Sequence, residues 1–371
     1  MKLVVFGLSI SSSWGNGHAT LWRALLTALA RRGHQAVFFE KSVAWYAHNR
    51  DLDRLQGCDI VLYAEFADIR SMAASELRDA DAAIVTSFCP DGVAAADLLV
   101  EYARGPKVFY DLDTPVTLAG LARGERPFYV GPLGLADFDL TLSFTGGAAL
   151  DGLREQLGAK RVQALYGSVD PAVHRRQEAR PQYRADLSYL GTYAADRQPA
   201  LETLLIAPAR RLPGQRFVIA GAQYPQAFPW TPDIYFVRHL PPSEHAAFFS
   251  SSRLTLNVTR AAMASMGYCP SGRLFEAAAC GTPILSDRWE GIETFFAPGE
   301  EILLAGTTDE AVAALGISDG ELQTIARRAR ERTLTLHTAD RRAEELEQAL
   351  SLAATLPPAA PEKGVPVLCG V

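Results

Sequence analysis

The sequence predicts an α/β protein of two Rossmann-like, doubly wound domains that face a cleft, with a C-terminal helix crossing back to the first domain. Three observations predict this. A chain of 371 residues is long for one core and suits two domains of roughly 150 residues each. Short apolar runs alternate with stretches of helical periodicity, the pattern of a parallel sheet. That alternation stops at a polar segment near residue 171 and then starts again.

In the first half, Leu3 to Phe6 reads as a strand, followed by a Ser- and Gly-rich loop from Gly7 to Gly17. Leu21, Trp22, Leu25, Leu26 and Leu29 then recur at helical spacing from about His18 to Arg32, and Gly33 ends the helix. Further strands are expected at 36–39, 59–63, 82–86, 107–110, 140–143 and 163–166. The first domain therefore runs over residues 1–170, with a linker at 171–185. The second domain, 186–338, opens on the strand 187–191 and repeats the alternation. Residues 339–356 form the crossing helix, and 357–371, rich in proline, read as a loose tail.

Composition removes several classes of function. A formal charge of −6 without a dense basic run argues against nucleic-acid binding. No apolar run approaches the ~20 residues needed to span a bilayer. The apolar run at the N-terminus is short for a leader and fits a first strand better. Five scattered cysteines without a CxxC pair point to reduced thiols in a cytoplasmic protein, with neither disulfides nor a cysteine metal site. Contact with a membrane surface and the oligomeric state stay open.

The stretch from Tyr268 to Asp287 carries the most chemistry. Ser271 and Gly272 can start a helix whose free N–H groups and dipole suit a phosphate, and Arg273 adds a cation in its first turn. Glu276 lies one turn further along on the same face. A carboxylate there repels phosphate but accepts hydrogen bonds from a ribose, so the pair suits a nucleotide-sugar. Gly191, Thr192 and Arg197 in the loop after residue 190, with Arg260 after the strand at 254–258, are further candidates for the phosphates. His239, before two prolines, is a candidate to set backbone groups against a base.

The first loop, Trp14-Gly-Asn-Gly-His18, puts Gly15, Asn16 and Gly17 where a backbone can approach a ligand, and His18 at a helix tip as a candidate base. It imitates a dinucleotide fingerprint, with Glu40 as the ribose acid, but Thr20 replaces the third glycine. Asp111 and Asp113 end a strand on the expected ligand side, Asp113 being the alternative base. Their Asp-x-Asp spacing also suits a divalent metal, a reading disfavoured because the phosphate features sit in the other half. Trp289, Glu290 and Gly291 form a candidate sugar-gripping loop. His34, His174 and His337 read as packing or surface residues.

Taken together, these stretches resemble a GT-B glycosyltransferase, and more narrowly the CgeB-like (spore-maturation-protein-like) family. The resemblance rests on residues 12–20, 110–118, 142–147, 190–193, 256–260 and 271–281, with His337-Thr and Arg342-Ala-Glu344. It implies a nucleotide-diphosphate sugar donor, UDP- or dTDP-linked, on the second domain and an acceptor on the first. It also implies transfer without a metal or other cofactor, and it matches Glu276 to the ribose-binding glutamate. Many GT-B enzymes carry a second glutamate eight positions earlier; that position is Tyr268 here, which leaves sugar and stereochemistry open. An epimerase on the same scaffold and a non-catalytic nucleotide-sugar-binding protein are the alternatives.

Overall fold

A computed structural model of the protein describes residues 1–355. The expected tail at 357–371 lies outside them.

The first seven strands are β1 (Lys2–Gly7), β2 (Gln35–Lys41), β3 (Cys58–Tyr63), β4 (Ala82–Thr86), β5 (Lys107–Asp111), β6 (Leu140–Ser143) and β7 (Val162–Ala164). They form one parallel sheet in the order β3-β2-β1-β4-β5-β6-β7. The order in which strands are added reverses between β1 and β4, so the loops leaving those two parallel strands part and open a crevice. The second domain repeats the plan with β8 (Leu187–Leu190), β9 (Phe217–Gly221), β10 (Ile234–Arg238), β11 (Thr255–Asn257), β12 (Ile284–Ser286) and β13 (Leu303–Leu304). Its order is β10-β9-β8-β11-β12-β13, with the crevice between β8 and β11. Each sheet is apolar on both faces, because helices cover both.

The helix Ala339–Thr355 packs its buried Ala343, Leu346, Leu350 and Ala353 into the same core as Trp22, Leu25 and Leu29 of the helix Gly17–Arg31. Arg31 pairs with Asp340, and Arg32 and His34 with Glu347, along that seam. Two chain crossings between the domains, among the described residues, run side by side. Val169 N donates to His337 O at 3.0 Å, and Ala339 N donates to Val169 O at 2.8 Å. Of the two readings open to His337, packing or surface, the structure takes packing, since the residue is buried. It stacks on Phe275 with ring centroids 4.5 Å apart, and its Nδ1 accepts from Arg342 Nη2 at 2.8 Å. Burial and the neighbouring Arg342 push its pKa down to about 3.

Glu40 corrects the dinucleotide imitation. It is fully buried and accepts from Ser9 Oγ, Ile10 N, Ser11 N and Ser11 Oγ at 2.6 to 2.9 Å. The carboxylate is consumed in pinning the first loop and has nothing left for a ribose. The four cysteines among the described residues are buried and free. No helix among the described residues is long and apolar enough to cross a membrane.

Candidate functional site

A cleft of roughly 810 Å³ lies between the domains and is lined from both. From the first domain come Gly15, Asn16, Gly17, His18 and Asp113; from the second come Gly191, Thr192, Arg197, His239, Arg260, Ser271, Gly272, Arg273 and Glu276. Both sets sit at carboxyl ends of strands beside the two crevices, where the folding plan brings them.

The second-domain wall is built around one arginine. Ser271 caps the helix Gly272–Ala279, its Oγ accepting from Arg273 N at 3.3 Å. The Arg273 side chain runs over the Tyr189 ring, 5.2 Å from its centroid, and donates Nη1 to Asn257 Oδ1 at 3.1 Å. Space for it comes from Gly191: a Cβ there would lie 3.0 Å from Arg273 Nη2 and 2.7 Å from Tyr189 Oη. Burial lowers the Arg273 pKa, but a guanidinium stays charged at any ordinary pH. Among the described residues it has no carboxylate at ion-pair distance. Arg197 is in the same state: Nη1 donates to the Thr192 carbonyl at 3.2 Å, and its buried Nε has no partner. Arg260 differs, because its Nε already meets Asp196 Oδ2 at 3.3 Å. Two uncompensated cations thus face the cleft beside a helix start, which is an electrostatic invitation to a dianion.

Glu276 sits one turn beyond. Burial works against its ionised form, yet the surrounding His174, His245 and Arg273 hold its pKa down at about 2. His245 Nδ1 lies 3.3 Å from Glu276 Oε2 and His174 Nε2 lies 3.8 Å from the same oxygen. Sequence reasoning missed both histidines. His174 belongs to the segment read as linker and His245 to the helix Pro242–Ser250, and no local spacing links either to residue 276.

On the first-domain wall, the two alternative bases prove to be partners. His18 Nε2 and Asp113 Oδ2 are 2.7 Å apart. A carboxylate accepts only, so Nε2 is the donor, and in the neutral ring Nδ1 is the nitrogen with the lone pair. Nδ1 has no hydrogen-bond partner among the described residues. Asn16 fixes the loop beneath: its Oδ1 accepts from His18 N, and its Nδ2 donates to the carbonyls of Ser9 and Ser12. Trp14 does not line the cleft; its ring lies against His239, centroids 3.9 Å apart, and so ties the two walls together. His239 has a positive φ of 52° and donates its N–H to Gly221 O at 2.8 Å.

Five further sequence candidates fall outside the cleft. Asp111 is fully buried under Asp113, where burial and the Asp113 charge push its pKa up to about 6. Tyr268 is a spacer between domains. Its carbonyl accepts from Gly146 N, and its ring is gripped between Gly147 and Gly291, where added Cβ atoms would come within 2.5 and 2.4 Å of it. Gly291 therefore serves packing. Trp289 is buried in the second-domain core, and Glu290 points to solvent.

Comparison with known proteins follows the same outline. Residues 197–348 match a family model described as "Glycosyl transferase-like". No protein of curated function matches the sequence. A sucrose-phosphate synthase from Thermosynechococcus elongatus superposes with a TM-score of 0.69 at 15% identity, covering 95% of this chain and 99% of that one. HepE of Anabaena, solved with UDP and glucose, gives 0.66 at 13% identity over 95% and 100%. An alpha-glucosyltransferase solved with UDP gives 0.69 at 12% over 95% and 100%. The chain has the GT-B fold, and its second domain carries the match to the glycosyl transferase-like family.

Proposed function

We propose that the protein transfers a sugar from a nucleotide-diphosphate sugar, UDP- or dTDP-linked, to an acceptor hydroxyl within the interdomain cleft. The observation that carries this is the Arg273 guanidinium, without a carboxylate partner, one helical turn from an ionised Glu276. Diphosphate at the Ser271–Arg273 helix start places a ribose against that carboxylate. Arg273, Arg197 and the helix N–H groups then stabilise the diphosphate as charge develops on it. Such preorganised donors are typically worth several kcal/mol, which leaves no need for a metal at the leaving group. The acceptor hydroxyl passes its proton to the His18–Asp113 pair, with Asp113 orienting the imidazole and stabilising its charged form. UDP in the HepE and alpha-glucosyltransferase structures supports the donor class. The CgeB-like motifs spread along the chain support that branch of the fold, and buried free thiols support a cytoplasmic setting.

The test is a transfer assay over a panel of nucleotide-sugars and acceptors. His18→Ala is expected to reduce transfer by about 10²–10⁴-fold while leaving UDP affinity within a factor of about two. Glu276→Ala is expected to weaken UDP binding by roughly tenfold or more, the loss of charge-assisted bonds to a ribose. Donor turnover without acceptor would instead indicate epimerisation, and UDP binding with no turnover would indicate a binding protein.

A further inference from the structure

The histidine pair around Glu276 has a geometry that ribose binding does not require. His174 is a linker residue held in place by its own N–H, which donates to the Asp170 carbonyl at 2.8 Å. Its side chain is nine-tenths buried, and both ring nitrogens lack a hydrogen-bond partner among the described residues. An imidazole in that condition loses its water and gains no replacement, a cost that native proteins rarely leave unexplained. Burial lowers its pKa, disfavouring the charged ring. Its Nε2 points at Glu276 Oε2 from 3.8 Å, too far for a hydrogen bond.

We propose that His174, His245 and Glu276 form a binding site for one divalent transition-metal ion, zinc being the best fit. One potential ligand atom from each of His174, His245 and Glu276 lies within 4.8 Å of the other two. Ligands at about 2.0–2.1 Å in tetrahedral array stand about 3.4 Å apart. The two histidine nitrogens stand 3.3 and 3.8 Å from the carboxylate oxygen, close to that spacing before any ion draws them in. Two imidazoles and one carboxylate favour zinc, cobalt or nickel over the oxygen-seeking magnesium and calcium. All three residues line the cleft, which leaves the fourth position for a water or a ligand oxygen.

The site is separate from the metal reading of Asp111 and Asp113, and it goes beyond the nucleotide reading without depending on it. Glu276 Oε2 serves the histidines, whereas Oε1 is the oxygen nearest Gly272, 4.0 Å from where a Cβ on that glycine would stand. The ion and a ribose therefore draw on different oxygens of one carboxylate. An ion here would fix the rotamer of the acid and clamp the linker residue His174 onto the second domain.

The experiment uses the full chain, stripped with chelator and free of nucleotide, titrated with Co²⁺ and then with Zn²⁺. The expected result is one Co²⁺ per chain with the intense visible bands of a four-coordinate ion, displaced by an equimolar amount of Zn²⁺. His174→Gln and His245→Gln, each checked for folding by circular dichroism, are expected to weaken Co²⁺ binding by at least 100-fold and to remove those bands. A wild-type titration showing no stoichiometric binding, or only the weak spectrum of six-coordinate Co²⁺, overturns the proposal whether or not either variant folds. Unchanged binding in both folded variants overturns it equally. Because no nucleotide is present, failure here leaves the UDP affinity of wild type and Glu276→Ala as an independent measurement.

Discussion

At the scale of single residues, function and stability pull in opposite directions at Arg273. A desolvated cation without an acid costs the fold, and the proposed function gives it a diphosphate as its partner. Arg273→Met is expected to weaken UDP binding by about 10–100-fold while leaving the melting temperature equal to or above wild type, as calorimetry and scanning fluorimetry would show. Asp111 makes a second, pH-dependent case. Its folded pKa of about 6 lies above the ordinary 3.8. The folded state therefore binds its proton more tightly, and the stability this contributes is present below pH 3.8 and lost as pH rises through 6. Asp111→Asn, which keeps the acceptor that Asp113 N uses at 3.0 Å, is expected to be more stable than wild type at pH 8 by up to about 3 kcal/mol. At pH 4 the two should melt within about 1 °C of each other, because the wild-type carboxyl is then largely protonated in the fold.

Among the elements, loops that leave the strand ends carry the proposed site, and buried anchors hold them. Glu40 grips the first loop, Asn16 caps the first helix, and Gly191 leaves room for the Arg273 head. Gly191→Ala changes no charge yet pushes a methyl group against Arg273 and Tyr189. It is expected to weaken UDP binding by about tenfold and to cost roughly 1–3 kcal/mol in a denaturant titration. The helix start at Ser271, the glycine loop before His18 and the sheet periodicity were legible in sequence because each is a local signal of capping, turn chemistry or spacing. The roles of Glu40, Tyr268 and Trp289 were not. Glu40 has the position of a ribose acid but faces four donors inside its own domain. Tyr268 and Trp289 have ligand-like neighbours in sequence, yet tertiary packing decides where an aromatic ring goes. His174 and His245 were illegible for a related reason, since the chain folds back over 102 and 31 residues to bring them to Glu276.

At the scale of the molecule, two sheets of one plan present their crevices to each other across an opening that both domains line. Among the described residues the chain crosses between the domains twice, at segments hydrogen-bonded side by side at Val169 and His337 to Ala339. Such a seam is suited to hinge motion, and closure there would exclude water from a reactive donor. Outside the cleft lining, Trp14 on His239 and Tyr268 beside Gly147 are further contacts between the domains. The fold was read from the sequence almost whole, down to the crossing helix, because strand and helix periodicities are strong in parallel α/β domains.

Central to the proposed function is a nucleotide held between these two lobes by a cation and an acid one turn apart. A crystal structure of the protein with UDP tests it most directly. The predicted result is the diphosphate within 3.2 Å of Arg273 and the Ser271–Arg273 backbone, on the distances usual for such bonds, with both ribose hydroxyls on the Glu276 carboxylate. Density for UDP elsewhere, or a ribose that leaves Glu276 untouched, would contradict it.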